Sequence, residues 1–432
     1  MSGEFLKAGV ADPPARVTVQ AVRRERARRR AAAIAVAAAV AAGMAGCTGN
    51  PSVVVSPAAS AAPVPCRPGW SAASGAVPAG DHEDLLVAIA GSASDDLWAV
   101  GDRYPDPRHV FPLFEHWDGH RWSYSAGAPL AGRQAFLTGV AAAAPDDVWA
   151  VGYFAPGRRA PEGPLIEHWN GRAWSLRPTK ALAGWHGALV QTLASVAVLA
   201  PDDVWLLGHG VSHFRPFDVF LHWTGASWQV IPGPGISTRV GSAWMQALGA
   251  DRLGRLWAVG GSVRGNGEAG VPAGGIVEQW NGRHWEVRRA AAWRKPLTLV
   301  APVAPGDIWA VTGGGFTIAG GGYGVSPVQV LHWNGSSWRG ALSLGGASSV
   351  VPTGLVAVSA DDAYLTGQHA AGRPFIDHWN GTRWRSLPLG PARRAQGQGS
   401  AVLTVSSGGS IAALVTRGMT DRANFLWLAC RR

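Results

Sequence analysis

Asp146-Asp147-Val148-Trp149-Ala150-Val151-Gly152, followed by His168-Trp169-Asn170-Gly171-Arg172-Ala173-Trp174, is the phrase on which the reading of this chain turns. An acidic turn runs into an apolar segment, and a second segment then closes on a tight Trp-to-Trp turn. The first tryptophan returns at Trp98, Trp149, Trp205, Trp257 and Trp309, with Tyr364 in a sixth copy. The steps are roughly 50 to 56 residues, a period that signals stacked supersecondary units. The second part returns as Trp117/Trp122, Trp169/Trp174, Trp223/Trp228, Trp280/Trp285, Trp333/Trp338 and Trp379/Trp384, always with the same spacing.

Between each of those tryptophan pairs lies Asp-Gly, Asn-Gly or Thr-Gly, as at Asp118-Gly119, Asn281-Gly282 and Thr224-Gly225. Asn-Gly and Asp-Gly between β-prone runs accept positive φ and predict a hairpin. Upstream, each copy opens with an apolar run such as Leu137–Ala144, Thr192–Ala200 or Leu297–Ala304. Four short strands per copy predict an all-β fold, a β-propeller with four strands per blade.

Residues 400–432 and 64–80 read as fragments of one more copy. Ala401–Ser406, Ile411–Val415 and Asn424–Leu428 supply three strands, and the missing fourth resembles Cys66-Arg67-Pro68-Gly69-Trp70-Ser71 at the other end. The expectation is a seven-bladed propeller over 65–432, its last blade closed by N- and C-terminal strands so that no sheet edge is left free. Cys66 and Cys430 fall where that split hairpin meets, and a disulfide between them is predicted.

Residues 1–46 differ in kind: Arg23, Arg24, Arg26, Arg28, Arg29 and Arg30 precede the Ala-rich stretch 31–42. That is a signal-peptide pattern, too short and too weakly apolar to span a membrane readily. Met44-Ala45-Gly46-Cys47 resembles a bacterial lipobox with Met in place of Leu, which implies lipidation at Cys47. Residues 47–64, rich in Pro, Ala, Ser and Val, have too little to bury and read as a tether. The expected localisation is export, with a lipid anchor on the outer face of the cell membrane. The formal charge of +10 falls to +10 − 5 = +5 once the eight basic and three acidic residues of 1–46 are set aside. No clustered basic stripe remains, so nucleic acid is not expected as a partner.

An internal repeat separates scaffold from site, because whatever recurs in every copy serves the blade. His116, His168, His222, His332 and His378 precede the first hairpin tryptophan, with Gln279 in the fourth copy. Radial blades keep such positions too far apart for one metal, so no metal and no cofactor are expected. The acid pairs Asp95-Asp96, Asp146-Asp147, Asp202-Asp203 and Asp361-Asp362 sit at repeated turns, where Asp is expected to bond its own backbone. Length variation concentrates in the second-to-third connections and the links between blades, which emerge on one face. The candidate binding residues there are Tyr104, Arg108, Tyr153, Arg158, Trp185, Phe214, Arg215, Trp293, Arg294 and Tyr323. Aromatic rings with arginines suit sugars, acidic polymers or protein hot spots.

The repeat resembles the bacterial extracellular propellers with kelch-type and sialidase-type repeats. Asp118-Gly119-His120-Arg121-Trp122 is similar to the sialidase Asp-box, one residue shorter and without the leading Ser, and the paired glycines of a kelch repeat appear at Gly260-Gly261. The resemblance implies architecture and carries over no catalytic residue. The expected function is a monomeric, surface-anchored binding module for a glycan, cell-wall polymer or protein partner. The alternative is a polysaccharide-active hydrolase or lyase using Glu162, Glu268 or Asp81-His82-Glu83-Asp84, with two carboxylates about 5 to 10 Å apart.

Overall fold

The computed structural model describes residues 71–74 and 83–429, apart from 107, 157–161, 180–188, 213–214, 234–240, 265–270, 289–294, 319–321, 345–349, 370–372, 390–398, 406–410 and 418–422. These residues form an all-β propeller of four-stranded antiparallel blades. Each of the six sequence copies makes one blade from contiguous chain, such as Ala135–Ala144, Asp147–Phe154, Gly163–Trp169 and Trp174–Leu176 in the second. A further four-stranded sheet joins the two ends of the described chain. Its order is Gly399–Val405, Ile411–Arg417, Ala423–Ala429 and then Ser71–Ser74, with Ser71 opposite Leu428. Among the described residues the sheets number seven, and their first strands neighbour one another in sequence order, Gly399–Val405 lying between Val350–Ser359 and Glu83–Ala93.

The burial pattern explains the sequence pattern. Second strands are covered on both faces by neighbouring sheets, so Val148, Trp149, Ala150 and Val151 are all buried and the apolar run is continuous. Fourth strands are outermost, and Trp174–Leu176 buries only its tryptophan. Between them, Asn170 Oδ1 accepts the backbone N–H of Arg172 and Ala173 while Gly171 takes φ 85°, the positive value the Asn-Gly reading requires.

Blades are joined by interlocked tryptophans. Trp149 of the second blade meets Trp223 and Trp228 of the third, with centroids at 5.8 and 5.7 Å; Trp98, Trp205 and Trp309 repeat the contact with the blades that follow them. Edge and tilted aromatic pairs of this kind add about 0.5–1.5 kcal/mol each beyond the area they bury. Four of the five histidines pack on these same tryptophans, and His378 stacks on Tyr364, which takes the tryptophan's place in the sixth blade. His168 lies 4.4 Å from Trp149 and donates to Asp147 Oδ1 at 2.6 Å. His116–Asp96, His222–Asp203, His332–Asp307 and His378–Asp362 repeat that pair at 2.7–3.0 Å.

This corrects the reading of the acid pairs. The second acid of each pair opens the second strand, so its side chain faces the third strand and accepts the imidazole N–H rather than its own backbone. Asp147 and Asp203 also accept the indole N–H of Trp149 and Trp205. Asx bonds recur instead in the hairpins, at Asp118, Asn170, Asn281, Asn334 and Asn380.

First strands carry bulges, for instance between Leu137 and Gly139 and between Met245 and Ala247. A bulge frees backbone groups that the neighbouring blade takes up. Leu137 N–H donates to Asp102 at 3.1 Å and Met245 N–H to Asp218 at 2.7 Å. Thr138 and Ser195 likewise reach Leu193 and Leu248 of the blades that follow.

Candidate functional site

The end of the ring bearing the variable connections is described most fully in the first two blades. Strands Asp96–Asp106 and His109–Trp117 meet in a turn that Asp106 organises, accepting Arg108 N–H at 2.8 Å and bonding His109 Nδ1 at 2.7 Å. Gln134 Nε2 then donates to the Arg108 carbonyl at 2.8 Å, fixing the turn to the next link. Arg108 is thus an exposed cation on a held turn. Beside it Arg133 lies 3.8 Å from the centre of the Phe154 ring, a cation–π contact.

Deeper in, Tyr153 stacks on Phe136 at 5.0 Å. Burial first, and then the charges of Asp102, Glu162 and Tyr104, hold its phenol above the usual tyrosine range. It therefore stays protonated at neutral pH, a donor rather than a base. Glu162 is raised by burial, and its Oε2 accepts Gln191 Nε2 of the third blade at 3.3 Å. Asp102 is buried and pushed up to about 7 by desolvation, with the Leu137 N–H pulling the other way. Two phenols, two carboxyls and the Phe136 ring thus converge from the first two blades.

Of the predicted residues, the structure brings Tyr104 and Tyr153 together with Glu162 and places Arg108 nearby on its turn. Arg215 and Tyr323 lie in strands Arg215–Trp223 and Gly322–Trp333, and only the backbone is described at these two residues. Arg158, Trp185, Phe214, Trp293, Arg294, Cys47, Cys66 and Cys430 lie outside the described residues, as does Glu268. Asp102 escaped sequence reasoning, since its role comes from a bulge in the following blade. Among the described residues no group of three or more His, Cys, Asp or Glu could hold a metal, and no helix is long and apolar enough to cross a membrane.

The opposite end, bearing the hairpins, holds a second feature. A cavity of about 530 Å³ opens between the third and fourth blades, lined by Asp203, Trp205 and His222 on one side and Arg255, Gln279 and Trp280 on the other. The sequence signal for it was the fourth copy, which carries Gln279 where five copies carry histidine.

Fold and loop end together define a propeller presenting a polar, aromatic surface at one mouth. No protein-family model matches the chain. No curated protein matches it either. Among solved structures it is similar to YCF48 bound to a D1 peptide, at 13% identity and TM-score 0.50 over 85% of this chain and 99% of that one. It is also similar to the polysaccharide lyase Uly1, at 10% identity and TM-score 0.51 over 88% and 97% of the two chains. An ulvan lyase, determined bound to a saccharide, gives 9% identity and TM-score 0.51 over 84% and 94%. At these identities the likeness is one of fold.

Proposed function

We propose that this protein is a binding propeller for a glycan, a cell-wall polymer or a protein partner, held at the outer face of the cell membrane by a lipid on Cys47. The observation that carries the reading is the convergence of Tyr104, Tyr153, Glu162 and Asp102 on one end of a rigid scaffold, with Arg108 on a fixed turn beside them. A phenol kept protonated, a neutralisable carboxyl and aromatic faces suit hydroxyl-rich or peptide ligands. Propellers of similar fold have been determined bound to a peptide and to a saccharide, which is compatible with either partner.

The split sheet closes the ring as a seventh blade in this reading, and a Cys66–Cys430 disulfide locks it. The register supports the bridge: with Ser71 opposite Leu428, as Ser175 is opposite His168, both cysteines count to the hairpin position that Asn170 holds. Reductant would lower the melting temperature of the native chain but not of the Cys430→Ala variant. An identical melting curve with and without reductant would remove the bridge.

A glycan and cell-wall polymer array, probed with the full chain in detergent and with the Tyr104→Ala/Tyr153→Ala variant, tests the function. Binding lost in the variant supports the loop-end site. Turnover of a polymer instead of retention would favour the alternative, a hydrolase or lyase drawing on Glu162 and Asp102.

A further inference from the structure

The cavity between the third and fourth blades is bordered by the blade in which the repeat breaks twice. Register places Gln279 opposite Trp257, where His116 stands opposite Trp98, and Arg255 precedes Trp257 by two residues as Asp96 precedes Trp98. The fourth blade has therefore exchanged both members of the imidazole–carboxylate pair, for an amide and a guanidinium. A scaffold position gains nothing from that exchange, because the stacked ring and its charge-assisted hydrogen bond are both lost.

The turn leading into Arg255 has also been rebuilt. In the second blade only Pro145 and Asp146 separate the first two strands; in the fourth, residues 251–255 do. This longer turn is held from within and from without. Asp251, fully buried, accepts the N–H of Leu253 at 2.9 Å and of Arg255 at 3.0 Å. Arg252 N–H donates to the Val303 carbonyl of the fifth blade at 3.3 Å, and its guanidinium bonds the Val358 carbonyl of the sixth. An exposed Arg255 is thus carried on a fixed loop, and among the described residues its guanidinium has no ion-pair partner.

What faces Arg255 is a sugar-like complement. Trp280, half-buried and 4.9 Å from the buried Trp205, offers indole surface. His222 and Asp203, bonded at 2.8 Å, keep 23% and 39% of their side chains exposed and add further polar atoms. A planar guanidinium matches a carboxylate in bidentate fashion, and an aromatic face takes the C–H side of a pyranose. The volume lies within the range of small-ligand sites.

We infer that this cavity binds a carboxylate-bearing sugar, a hexuronate unit of an acidic polysaccharide, with its carboxylate on Arg255 and its ring against Trp280. The inference rests on the glycan reading of the protein and adds a second site, on the hairpin end rather than the loop end.

The test is calorimetric titration of the full chain in detergent with oligogalacturonate, with its carboxyl-reduced neutral counterpart and with an acidic peptide. The Arg255→Asp/Gln279→His variant restores the pair that five blades carry, so it should fold at least as stably as the native chain. The expected result is oligogalacturonate binding weakened at least tenfold by reducing the carboxyls, at least tenfold in the double variant, and less in Arg255→Lys. Should the double variant misfold, Arg255→Met, at an exposed position, must show the same loss. Undiminished binding in these variants, but loss in Tyr104→Ala/Tyr153→Ala, overturns the cavity site while leaving the glycan reading in place. Preference for the acidic peptide overturns the sugar assignment. Failure to bind any saccharide here and on the array overturns both readings.

Discussion

The second and fourth blades share strand order, hairpin geometry and the buried tryptophan, yet they treat one position in opposite ways. In the second, His168 fills the gap beside Trp149, bonds Asp147 and is bonded in turn by Arg177 at 2.6 Å. In the fourth, Gln279 and Arg255 stand at those positions beside Trp257, and both also border the cavity on the side of the third blade. A repeat tolerates such a loss where Trp257 still packs against Leu297, Leu331 and Trp333 of the fifth blade. The difference separates what holds a blade from what a blade presents.

The comparison breaks most visibly at the tryptophan. Trp149 is 1% exposed and central to the contact between two blades, so Trp149→Ala should lower unfolding free energy by about 3–5 kcal/mol. Denaturant titration reads it, and a loss under about 1 kcal/mol would show that the interlocked rings are not the joint. The histidine position sharpens the contrast. His168→Ala strands the Asp147 carboxylate, 10% exposed, and should lose about 1–3 kcal/mol, whereas Gln279→Ala should stay within about 0.5 kcal/mol. Equal losses would erase the distinction between the two blades.

A second line of difference runs through the third strands. Glu115, Glu167 and Glu278 are buried at one repeat position where the third and fifth blades carry Leu221 and Leu331. Burial pushes Glu115 and Glu278 to about 8 and Glu167 to about 7, with the nearby Asp84 and Asp218 adding to the first two. An acid raised in the folded state binds its proton more tightly there than in the unfolded chain. Its stabilisation is complete below the ordinary glutamate value and is lost as pH rises toward 7–8. Melting temperature should therefore fall between pH 5 and pH 8, and Glu278→Leu, which copies the fifth blade, should flatten that fall. A profile of the same slope in the variant would show that Glu278 is not among its sources. The smallest stability effect belongs to the loop end: Tyr153→Phe removes one hydroxyl, should shift melting little, and should show instead as weaker array binding.

Much of the ring was legible because its signals are local. Asn170-Gly171 specifies its own turn, and Val148–Val151 reads as a strand covered on both sides. Even the split sheet could be read, since its fragments keep the repeat's spacing while lying at opposite ends of the chain. The acid pairs were misread because a turn position and the first residue of a strand look alike in sequence; only the pairing of Trp149 with His168 shows which way Asp147 points. The first-to-second turns read as nearly constant, and the fourth blade departs from that in a way that gains meaning once Arg252 is seen reaching two other blades.

Sequence by itself determined the repeat, the four strands of each blade, the hairpins and three strands of the split sheet, whose fourth begins at Ser71 where the reading of it ended, because these rest on hydrogen-bond ladders and turns within one copy. Tertiary structure alone decided that Asp102 and Asp218 capture bulged N–H groups of the next blade, that Tyr104, Tyr153 and Glu162 share one mouth, and that Gln279 and Arg255 border a cavity. Those contacts run between blades, and their partners are set by how neighbouring sheets pack and where each first strand bulges. Neither leaves a period in the sequence.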